Sequence, residues 1–550
     1  MLLQYTVWWS DHMTYDAVIV GGGIAGLTAA AYLCKSGYEV AVCEKEKRVG
    51  GLVNSFDYKG FTFDGGIRAI ENSGIVMPML RQLGLDVDFT ENTVSIGIGK
   101  EVIHIVSKES LLDYQSLLLK QFPGNSEDIN KIIDDIRRIM GYMDVLYGID
   151  NPLFMDLKND KEYLFKTILP WLFKYITTFN KIQKLDAPVD EYLRQFTGNH
   201  ALVDVIAQHF FRKTPASFAL SYFSLYLDYR YPKGGTGSLI DALEKFISNL
   251  NGEIHRESEI CHVNPGERYI LDAQDNRYNY RYLIWAADLK KMYQLMDFKT
   301  ISNKKIKQQA MKRKNAIMDK TGGDSVLTLY ATVDLDKSFF ESICSPHFFY
   351  TPSARGLSGA DFATLTERAG GQPGYPADKQ VIIDWMNSFY NLTTYEISIP
   401  VMRDENLAPA GKTGIIISVL FDFPLVKHIA EMGWYDEFKD ITGQLIIGVL
   451  DSTIFPGLKD KVIDRFVSTP LTMEKRTGNS EGAITGWAFT NSMIPAIKST
   501  TKITRAVLTP VPDIFQAGQW TFSPSGLPMS ILTGKLAADK ARSKLKTGAR

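Results

Sequence analysis

Ala17-Val18-Ile19-Val20-Gly21-Gly22-Gly23-Ile24-Ala25-Gly26 is the stretch of sequence that decides the fold. An apolar, β-branched run leads into three glycines, a helical pattern follows at residues 27–35, and residues 40–42 predict a second strand. The glycines fit the G-x-G-x-x-G pattern in the place where it is informative, between a strand and a helix. The sequence therefore predicts a βαβ unit that binds a dinucleotide.

Each glycine of this pattern has its own task in such a turn. Gly21 permits the tight turn, Gly23 lets the backbone approach a pyrophosphate, and Gly26 allows the helix to pack closely on the strand. Unpaired N–H groups at the helix start would bind the phosphates. Glu44 ends the second strand, where a carboxylate accepts hydrogen bonds from a ribose. Together these features predict a Rossmann-type domain.

A second glycine-rich path favours FAD over NAD as the dinucleotide. Gly50-Gly51 follows Glu44 closely and precedes Phe61-Thr62-Phe63-Asp64-Gly65-Gly66, along which a chain can lie against a ribityl and pyrophosphate portion. The first βαβ unit alone serves either cofactor. NAD-binding domains usually lack the second turn, so its presence points to FAD.

The far end of the chain supplies another feature that favours FAD. Residues 513–520 form a strand pattern that ends in glycine, and Ser525-Gly526-Leu527-Pro528-Met529 begins a helix that we expect to run to about Lys540. Such a helix start offers N–H donors and the positive end of a dipole. It would stabilise negative charge at the N1–C2 edge of a reduced flavin. An ordinary C-terminal closure of the sheet is the alternative.

Changes of pattern along the chain predict several domains, as its length requires. Long helical patterns follow residue 108, and strand-like runs occur at residues 325–332, 380–385, 394–401 and 414–423. We expect an N-terminal tail (1–13), an FAD-binding domain in three parts (14–107, 231–324 and 481–541), a helical substrate or lid insertion (108–230), a β-rich substrate domain (325–480) and a basic tail (542–550).

Composition argues against several other classes of protein. The 550 residues carry 61 Lys and Arg against 62 Asp and Glu, so the basic surplus of a nucleic-acid-binding protein is missing. Four scattered cysteines argue against a disulfide framework and favour a cytoplasmic setting. The scattered histidines predict no metal site. We therefore expect the chemistry to come from the organic cofactor.

Six motifs follow one another along nearly the whole chain: residues 18–27, Phe63-Asp64-Gly65-Gly66-Ile67, Tyr231-Pro232-Lys233-Gly234-Gly235, Leu407-Ala408-Pro409-Ala410-Gly411, Thr469-Pro470-Leu471-Thr472 with Gly482-Ala483-Ile484-Thr485-Gly486, and residues 518–534. In this order they resemble the phytoene desaturase, carotenoid isomerase and retinol saturase family of FAD-dependent oxidoreductases, which is related to the amine oxidases. The resemblance implies an α/β fold: a Rossmann-type FAD-binding domain (GR2-like), a mixed-sheet substrate domain and a helical lid insertion.

The resemblance also implies where FAD is bound. The backbone of Ile260 would meet the adenine, the turn at Gly50-Gly51 would face the pyrophosphate, and Gly518 and Gln519 would contact the ribityl chain. The residues that we expect to contact FAD are Gly21, Gly23, Ile24, Ala25, Gly26, Glu44, Lys45, Gly50, Gly51, Leu52, Arg68, Ile260, Gly518, Gln519, Leu527, Pro528 and Met529.

Three positions depart from the family's pattern. Family members generally have Asp or Glu where this chain has Gln519, and frequently Arg where it has Leu52. Arg68 stands where the saturase branch tends to carry His. An arginine beside the flavin could bind a carboxylate or stabilise charge on the reduced ring, and it could equally be a structural salt-bridge partner.

The resemblance implies an enzyme that acts on carbon–carbon bonds of a carotenoid, a retinoid or another long apolar isoprenoid or lipid. Desaturation, saturation and redox-neutral cis-trans isomerisation all occur in the family, and the sequence does not choose among them. Hydride can pass between a substrate carbon and flavin N5 once the geometry is held, so no catalytic side chain is named. A flavin amine oxidase acting on C–N bonds and a non-enzymatic lipid-binding or redox-sensing flavoprotein are the alternatives.

Residues 163–176 combine aromatic and aliphatic side chains with spaced lysines, and charges interrupt them too often for a membrane span. One interpretation is an amphipathic dock that lies in the membrane interface and makes the protein a peripheral membrane protein. The other is a buried core helix of the lid domain. The oligomeric state is not predicted.

Overall fold

The computed structural model describes residues 14–155, 161–369, 374–499 and 502–547. The strands are β1 Thr14–Val20, β2 Val40–Cys43, β3 Ser55–Tyr58, β4 Phe61–Asp64, β5 Ile70–Glu71, β6 Phe89–Glu91, β7 Val94–Ile98, β8 Glu101–Ile105, β9 Tyr229–Pro232, β10 Glu253–His255, β11 Ile260–Asn264, β12 Tyr269–Asp272, β13 Arg277–Trp285, β14 Ser325–Val333, β15 His347–Thr351, β16 Tyr395–Ser398, β17 Thr413–Phe421, β18 Val462–Ser468 and β19 Ile514–Gln516.

The helices are α1 Ile24–Lys35, α2 Val76–Leu83, α3 Ser110–Gln121, α4 Ser126–Tyr147, α5 Lys161–Tyr163, α6 Leu169–Ile182, α7 Val189–Leu193, α8 His200–Ala207, α9 Ala216–Ala219, α10 Tyr222–Tyr226, α11 Ser238–Asn249, α12 Leu289–Leu295, α13 Lys304–Met318, α14 Lys337–Glu341, α15 Phe362–Glu367, α16 Lys379–Leu392, α17 Phe423–Glu431, α18 Tyr435–Thr453, α19 Pro470–Thr477, α20 Ile503–Ala506 and α21 Leu527–Thr547. A π-helical turn at Leu164–Ile168 joins α5 to α6. The described residues form two compact units, with residues 14–51, 240–320, 495–499 and 502–547 in the first and residues 52–155, 161–239, 321–369 and 374–494 in the second.

The first unit is built on a sheet with the strand order β10-β2-β1-β13-β12-β11, to which β19 adds beside β13. β1 runs parallel to both β2 and β13, and the apolar residues at its end are buried, as expected for a strand covered on both faces. Helices α1 and α21 pack against each other. A Cβ atom added to Gly534 would lie 2.3 Å from the carbonyl oxygen of Ala25, so glycine is what permits this close packing.

The second unit contains a larger mixed sheet with the order β18-β14-β17-β16-β15-β7-β8. Helices α16, α17 and α18 cover it with a core that includes Trp385, Phe421 and Phe438. A separate core belongs to the helical region around α3, α4, α7 and α8, where the apolar positions of α4 recur at helical spacing. The long helical patterns that the sequence predicts after residue 108 therefore include α4.

The strand predicted at residues 380–385 is wrong, because these residues lie in α16. Asp378 caps this helix by accepting a hydrogen bond from the backbone N–H of Gln380. Ile382, Trp385 and Phe389 are buried at spacings of three and four residues, which is one face of a helix. A short apolar run does not distinguish a strand from a buried helix. The spacing of the buried residues over the longer segment shows that this one is a helix.

The predicted boundary at residue 107 also differs from the structure. β7 pairs in parallel with β15 and antiparallel with β8, so residues 94–105 belong to the sheet of the second unit. Phe63 of β4 packs against Tyr330 of β14, with ring centroids 5.4 Å apart. Residues 52–107 thus lie in the second unit, together with the helical region at 108–230 and the β-rich region at 325–480.

The C-terminal end of α21 lies beyond the predicted position near Lys540. The helix continues to Thr547 because Ala541 and Leu545 are still buried. Residues 542–547, which we expected to begin a solvated tail, are thus part of the fold. The N-terminal tail predicted at residues 1–13 and residues 548–550 lie outside the described residues.

Candidate functional site

The glycine turn after β1 has the geometry that the sequence pattern predicts. Gly21 has a φ angle of +103°, and a Cβ atom there would lie 2.8 Å from the carbonyl oxygen of Ala286. A Cβ atom on Gly26 would lie 2.0 Å from the carbonyl oxygen of Gly21. At Gly23, by contrast, such an atom would meet no described protein atom within 4 Å. Gly21 and Gly26 are needed for packing, whereas Gly23 faces space that a ligand can occupy.

The start of α1 is suited to an anion. Gly23 is its N-cap residue with extended backbone geometry, and within the described chain no side chain caps the helix. Its first turn also lacks acidic residues. The first N–H groups of a helix need acceptors from outside the helix, and the dipole favours a negative charge there. Ile24 and Ala25 therefore present backbone donors of the kind that bind phosphate.

The second glycine turn lies directly against the first. The N–H group of Gly50 donates to the carbonyl oxygen of Gly22 at 2.8 Å, and Gly50 forms a parallel bridge with Gly23. Gly51 has a φ angle of +60°, and a Cβ atom on it would lie 3.4 Å from the Cα atom of Gly23. Two stretches of backbone without side chains are thus brought together.

Glu44, at the end of β2, is buried beside these turns. Its Oε2 accepts a hydrogen bond from the N–H group of Gly22 at 2.8 Å, and its Oε1 accepts one from Glu46 at 2.9 Å. Burial raises the pKa of Glu44, and these two N–H groups oppose that rise. Lys45 turns toward Glu46, with a nitrogen–oxygen distance of 3.2 Å. Each carboxylate oxygen of Glu44 keeps a lone pair for a further donor.

The remaining predicted contacts of the first unit surround the same turns. The N–H group of Ser258, two residues before Ile260, donates to the carbonyl oxygen of Glu44 at 2.8 Å. The N–H group of Gly518 donates to Thr533 Oγ1 at 2.9 Å, and a Cβ atom on Gly518 would touch Ala25. Gln519 follows directly, and Leu527, Pro528 and Met529 form the first turn of α21. The first unit therefore contains every predicted contact except Leu52 and Arg68.

Leu52 belongs to a tightly packed corner of the second unit. Its carbonyl oxygen accepts a hydrogen bond from Ile67, and a Cβ atom on Gly66 would lie 2.0 Å from it. Asp64 nearby accepts hydrogen bonds from Tyr231 Oη at 2.7 Å and from the backbone N–H of Thr236 at 2.8 Å. This network joins the motifs at residues 63–67 and 231–235 in space.

The guanidinium group of Arg68 is buried in the second unit. It donates to the carbonyl oxygen of Gly66 at 2.5 Å, to Ser418 Oγ at 2.6 Å and to Thr328 Oγ1 at 3.3 Å. Its Nη1 lies 3.9 Å from Glu396 Oε2. Glu396 is thus the partner that the salt-bridge interpretation of Arg68 requires. A contact of Arg68 with FAD stays a prediction.

Sequence reasoning missed the other members of this buried polar cluster. Glu396 Oε1 lies 3.1 Å from His347 Nε2. Arg403 donates to the carbonyl oxygen of Arg68 at 2.7 Å and stacks on the ring of Tyr231, with Cζ 4.0 Å from its centroid. These residues come from separate segments and share no motif spacing. Only the strand pairing of β15, β16 and β17 brings them together.

The cluster fixes the charge state of its members. Burial alone would raise the pKa of Glu396, but the charge of Arg68, the contact with His347 and the charge of Arg403 hold it at about 2. Burial lowers the pKa of His347, and Glu396 only partly opposes this. At neutral pH Glu396 is therefore ionised, and His347 is neutral.

Comparison with known proteins supports the same type of fold. A family model described as an NAD(P)-binding Rossmann-like domain matches residues 19–83. A 4,4'-diapophytoene desaturase (4,4'-diaponeurosporene-forming) of Staphylococcus aureus, strain COL, is 21% identical over 559 aligned residues, which cover 96% of this chain and 99% of that protein. The chain is homologous to 4,4'-diapophytoene desaturases. The resemblance predicted from the ordered motifs is thereby confirmed at the level of these desaturases.

Solved structures extend the comparison to more distant proteins. An oxidoreductase from Methanosarcina mazei has a TM-score of 0.60 at 15% identity, covering 95% of this chain and 99% of that one. Cyclohexylamine oxidase from Brevibacterium oxydans has a TM-score of 0.57 at 12% identity, with coverage of 97% and 100%. At these identities the likeness concerns the fold alone. The predicted α/β class, with a Rossmann-type domain and a mixed-sheet domain, is confirmed.

Glu71 of β5 generates a pH-dependent prediction. Burial raises its pKa to about 7; a hydrogen bond from Ser73 opposes the rise, and the charge of Asp228 adds to it. In the unfolded chain a glutamate has a pKa of about 4.3, so between about pH 4.5 and 7 only the folded state holds this proton. The free energy of unfolding should therefore fall as pH rises through this window.

The test is urea unfolding of wild type and Glu71→Gln across this pH range. The amide carries no charge, so the variant should gain stability relative to wild type as pH rises, until the difference becomes constant above about pH 7.5. Glu91→Gln, at an exposed position of the same small sheet, should follow the wild-type pH profile. A constant difference between Glu71→Gln and wild type from pH 5 to 8 would contradict the raised pKa.

Proposed function

We propose that the protein is an FAD-dependent oxidoreductase that desaturates, or otherwise changes the hydrogenation of, carbon–carbon bonds in a long apolar isoprenoid. The observation that carries this proposal is homology along 96% of the chain to a 4,4'-diapophytoene desaturase. Desaturation is the reaction in that relative's name, so we favour it over saturation and isomerisation. The oxidoreductase class is supported by the same homology.

The nucleotide cradle of the first unit fits FAD. Gly23 leaves open space where a pyrophosphate would lie, and the N–H groups at the start of α1 would bind its oxygens. Glu44 would accept hydrogen bonds from the ribose hydroxyls through its free lone pairs. When bound, FAD would supply a hydride acceptor at flavin N5. Contacts from Leu52 and Arg68 to FAD remain part of the proposal.

An amine oxidase activity is the second candidate, because solved amine oxidases share the fold. That likeness rests on 12% identity, whereas the desaturase homology is detected in the sequence itself. Fold alone does not determine the reaction. The carbon–carbon proposal therefore ranks first.

The helix α6 offers a surface for docking on a membrane, where an isoprenoid substrate would be dissolved. Its exposed apolar residues share one face with the preceding π-helical turn: Phe165, Leu169, Leu172, Phe173 and Ile176. Lys166, Lys174 and Lys181 flank this face and are exposed. Trp171 Nε1 donates to the carbonyl oxygen of Val145, which holds the other face of α6 onto α4.

This arrangement is typical of helices that lie in the interface of anionic bilayers. Among the described residues, no helix combines the length and apolar character that a bilayer crossing requires. We propose peripheral attachment through the exposed face of α6. A cytoplasmic setting, predicted from the cysteines, belongs to this proposal.

The cofactor assignment is tested with Gly23→Val. The new side chain would meet no described protein atom at its Cβ but would fill the space proposed for the pyrophosphate. We expect flavin occupancy of the purified protein to fall below about a tenth of wild type, with a urea midpoint equal to that of flavin-stripped wild type. Gly124→Val, also at a position without neighbours within 4 Å, should retain flavin. A flavin-loaded Gly23→Val protein would contradict the cradle.

The reaction is tested by anaerobic mixing of the flavin-loaded protein with a cell lipid extract, followed by mass spectrometry. Desaturation predicts lipids that have lost two hydrogens while the flavin absorbance bleaches. Altered double-bond geometry at constant mass would identify an isomerase, and a gain of two hydrogens after the flavin has first been reduced with dithionite would identify a saturase. In a parallel aerobic assay, peroxide release from amines, with no change in any lipid, would instead establish the amine oxidase.

The membrane proposal is tested by flotation with vesicles of phosphatidylcholine and phosphatidylglycerol. Phe173 is 75% exposed, and Phe173→Asp replaces apolar surface by a charge that anionic lipid repels. We expect vesicle binding to fall by at least about tenfold. Met493→Asp is the matched control, since Met493 is 74% exposed. Equal flotation of the two variants would eliminate α6 as the dock.

A further inference from the structure

Among Glu396, Arg68 and His347, only Glu396 has a side chain with substantial uncovered surface. Its side chain is 32% exposed, whereas the side chains of Arg68 and His347 are 6% and 2% exposed. The two neighbours approach it from the protein side, at 3.9 Å and 3.1 Å. Glu396 therefore keeps free lone pairs that point away from its partners.

Aromatic side chains continue from this carboxylate. The ring of Tyr229 lies 5.5 Å from that of His347, and Phe349 lies 5.0 Å from it on another side. Tyr226 is 5.2 Å from Phe349, and Tyr222 is 5.6 Å from Tyr226. A continuous aromatic wall thus leads away from Glu396, with phenol groups set among apolar ring faces.

Part of this wall is uncovered, since Tyr222 and Tyr229 are only half-buried. Burial nevertheless raises the pKa of both phenols, and the charges of Glu71 and Glu396 add to the rise. Groups that faced bulk water would be solvated and would keep ordinary values. The uncovered surface beside Glu396 is therefore poorly solvated, with protonated phenols next to it.

Several buried polar atoms in and beside the cluster, Arg403 Nε among them, also lack hydrogen-bond partners within the described residues. Arg68 Nε and Asn92 Oδ1 have no hydrogen-bond partner within the part of the chain that the structure describes. Asn92 adjoins the cluster, because its Nδ2 lies 3.4 Å from His347 Nδ1. Buried polar atoms of folded proteins are usually satisfied, if necessary by a ligand or by water. The end of the space near Glu396 is therefore suited to a polar group.

The charges of the cluster define which polar group fits. A cationic group would approach Glu396 beside the guanidinium groups of Arg68 and Arg403, and an anionic group would meet the carboxylate itself. A neutral hydroxyl group avoids both conflicts, since it donates to the carboxylate and accepts from a phenol. A pure hydrocarbon would instead leave the carboxylate desolvated without a donor, which is costly.

We propose that Glu396 accepts a hydrogen bond from a hydroxyl group of the substrate, whose chain lies along the partly uncovered rings of Tyr222, Tyr229 and Phe349. The substrate class is then an isoprenoid alcohol, in contrast to a hydrocarbon. The isoprenoid part of this inference rests on the proposed function. Glu396 is a specificity-determining residue in this scheme, and it takes no part in hydrogen transfer.

The experiment compares three ligands of equal chain length on the flavin-loaded protein: geranylgeraniol, its methyl ether and the hydrocarbon that lacks the oxygen. Dissociation constants are measured by quenching of tryptophan fluorescence without turnover. The alcohol should bind at least about tenfold more tightly than the other two, because only it can donate to an ionised acceptor. This comparison needs no variant, so it remains decisive even if substitutions at residue 396 prevent folding.

Glu396→Gln supplies the second measurement. It keeps the shape of the side chain and replaces a charged acceptor by a neutral one, so the preference for the alcohol over the ether should fall by about tenfold. Glu405→Gln, at an exposed position of the same unit, should keep the wild-type preference. An unchanged preference in folded Glu396→Gln would overturn the assignment of the hydroxyl to Glu396.

The ligand series separates this inference from the proposed function. If the hydrocarbon or the ether binds as tightly as the alcohol, the hydroxyl inference fails while the isoprenoid proposal survives. If none of the three ligands binds to protein that retains flavin, the isoprenoid proposal fails, and the hydroxyl inference fails with it.

Discussion

The close approach of the start of α1 to the end of β1 is the constraint on which the first unit depends. Because Gly26 has no side chain, there is room for the carbonyl oxygen of Gly21, with which any side chain at this position would collide. This approach aims the helix N-terminus at the space beside Gly23. The turns at Gly50 and Gly518 then pack around the same point. One steric requirement thus sets the position of every backbone donor in the cradle.

The same constraint explains why this part of the molecule could be predicted from the sequence. Gly21 and Gly26 meet steric demands that only glycine satisfies, so the residue type itself reports the local geometry. Glu44 follows because its distance along the chain is fixed by one helix and one strand. Local sequence patterns are enough to predict the structure where the contacting residues are close together in the sequence. The C-terminal helix was also predictable, and only its end was misplaced, because burial of Leu545 depends on tertiary packing.

The second unit was predictable only in outline, for the opposite reason. β7 pairs with β15, which lies 253 residues further along the chain, and no local pattern encodes such a pairing. The helix α16 was read as a strand because Val381 and Ile383 favour strands, while burial of Trp385 and its neighbours favours a helix. Glu396 and His347 carry no motif. Their importance is visible only once β15 and β16 place them side by side.

The buried charges of the second unit are costly for stability alone. Well-packed apolar residues often replace a buried ion pair without loss, so charge by itself gives weak support to the fold. Arg68 and Arg403 nevertheless hold Glu396 ionised inside an aromatic enclosure, with part of the carboxylate left uncovered. In the proposed role, the uncovered part of the carboxylate distinguishes a ligand that donates a hydrogen bond from one that does not, which an apolar wall alone cannot do.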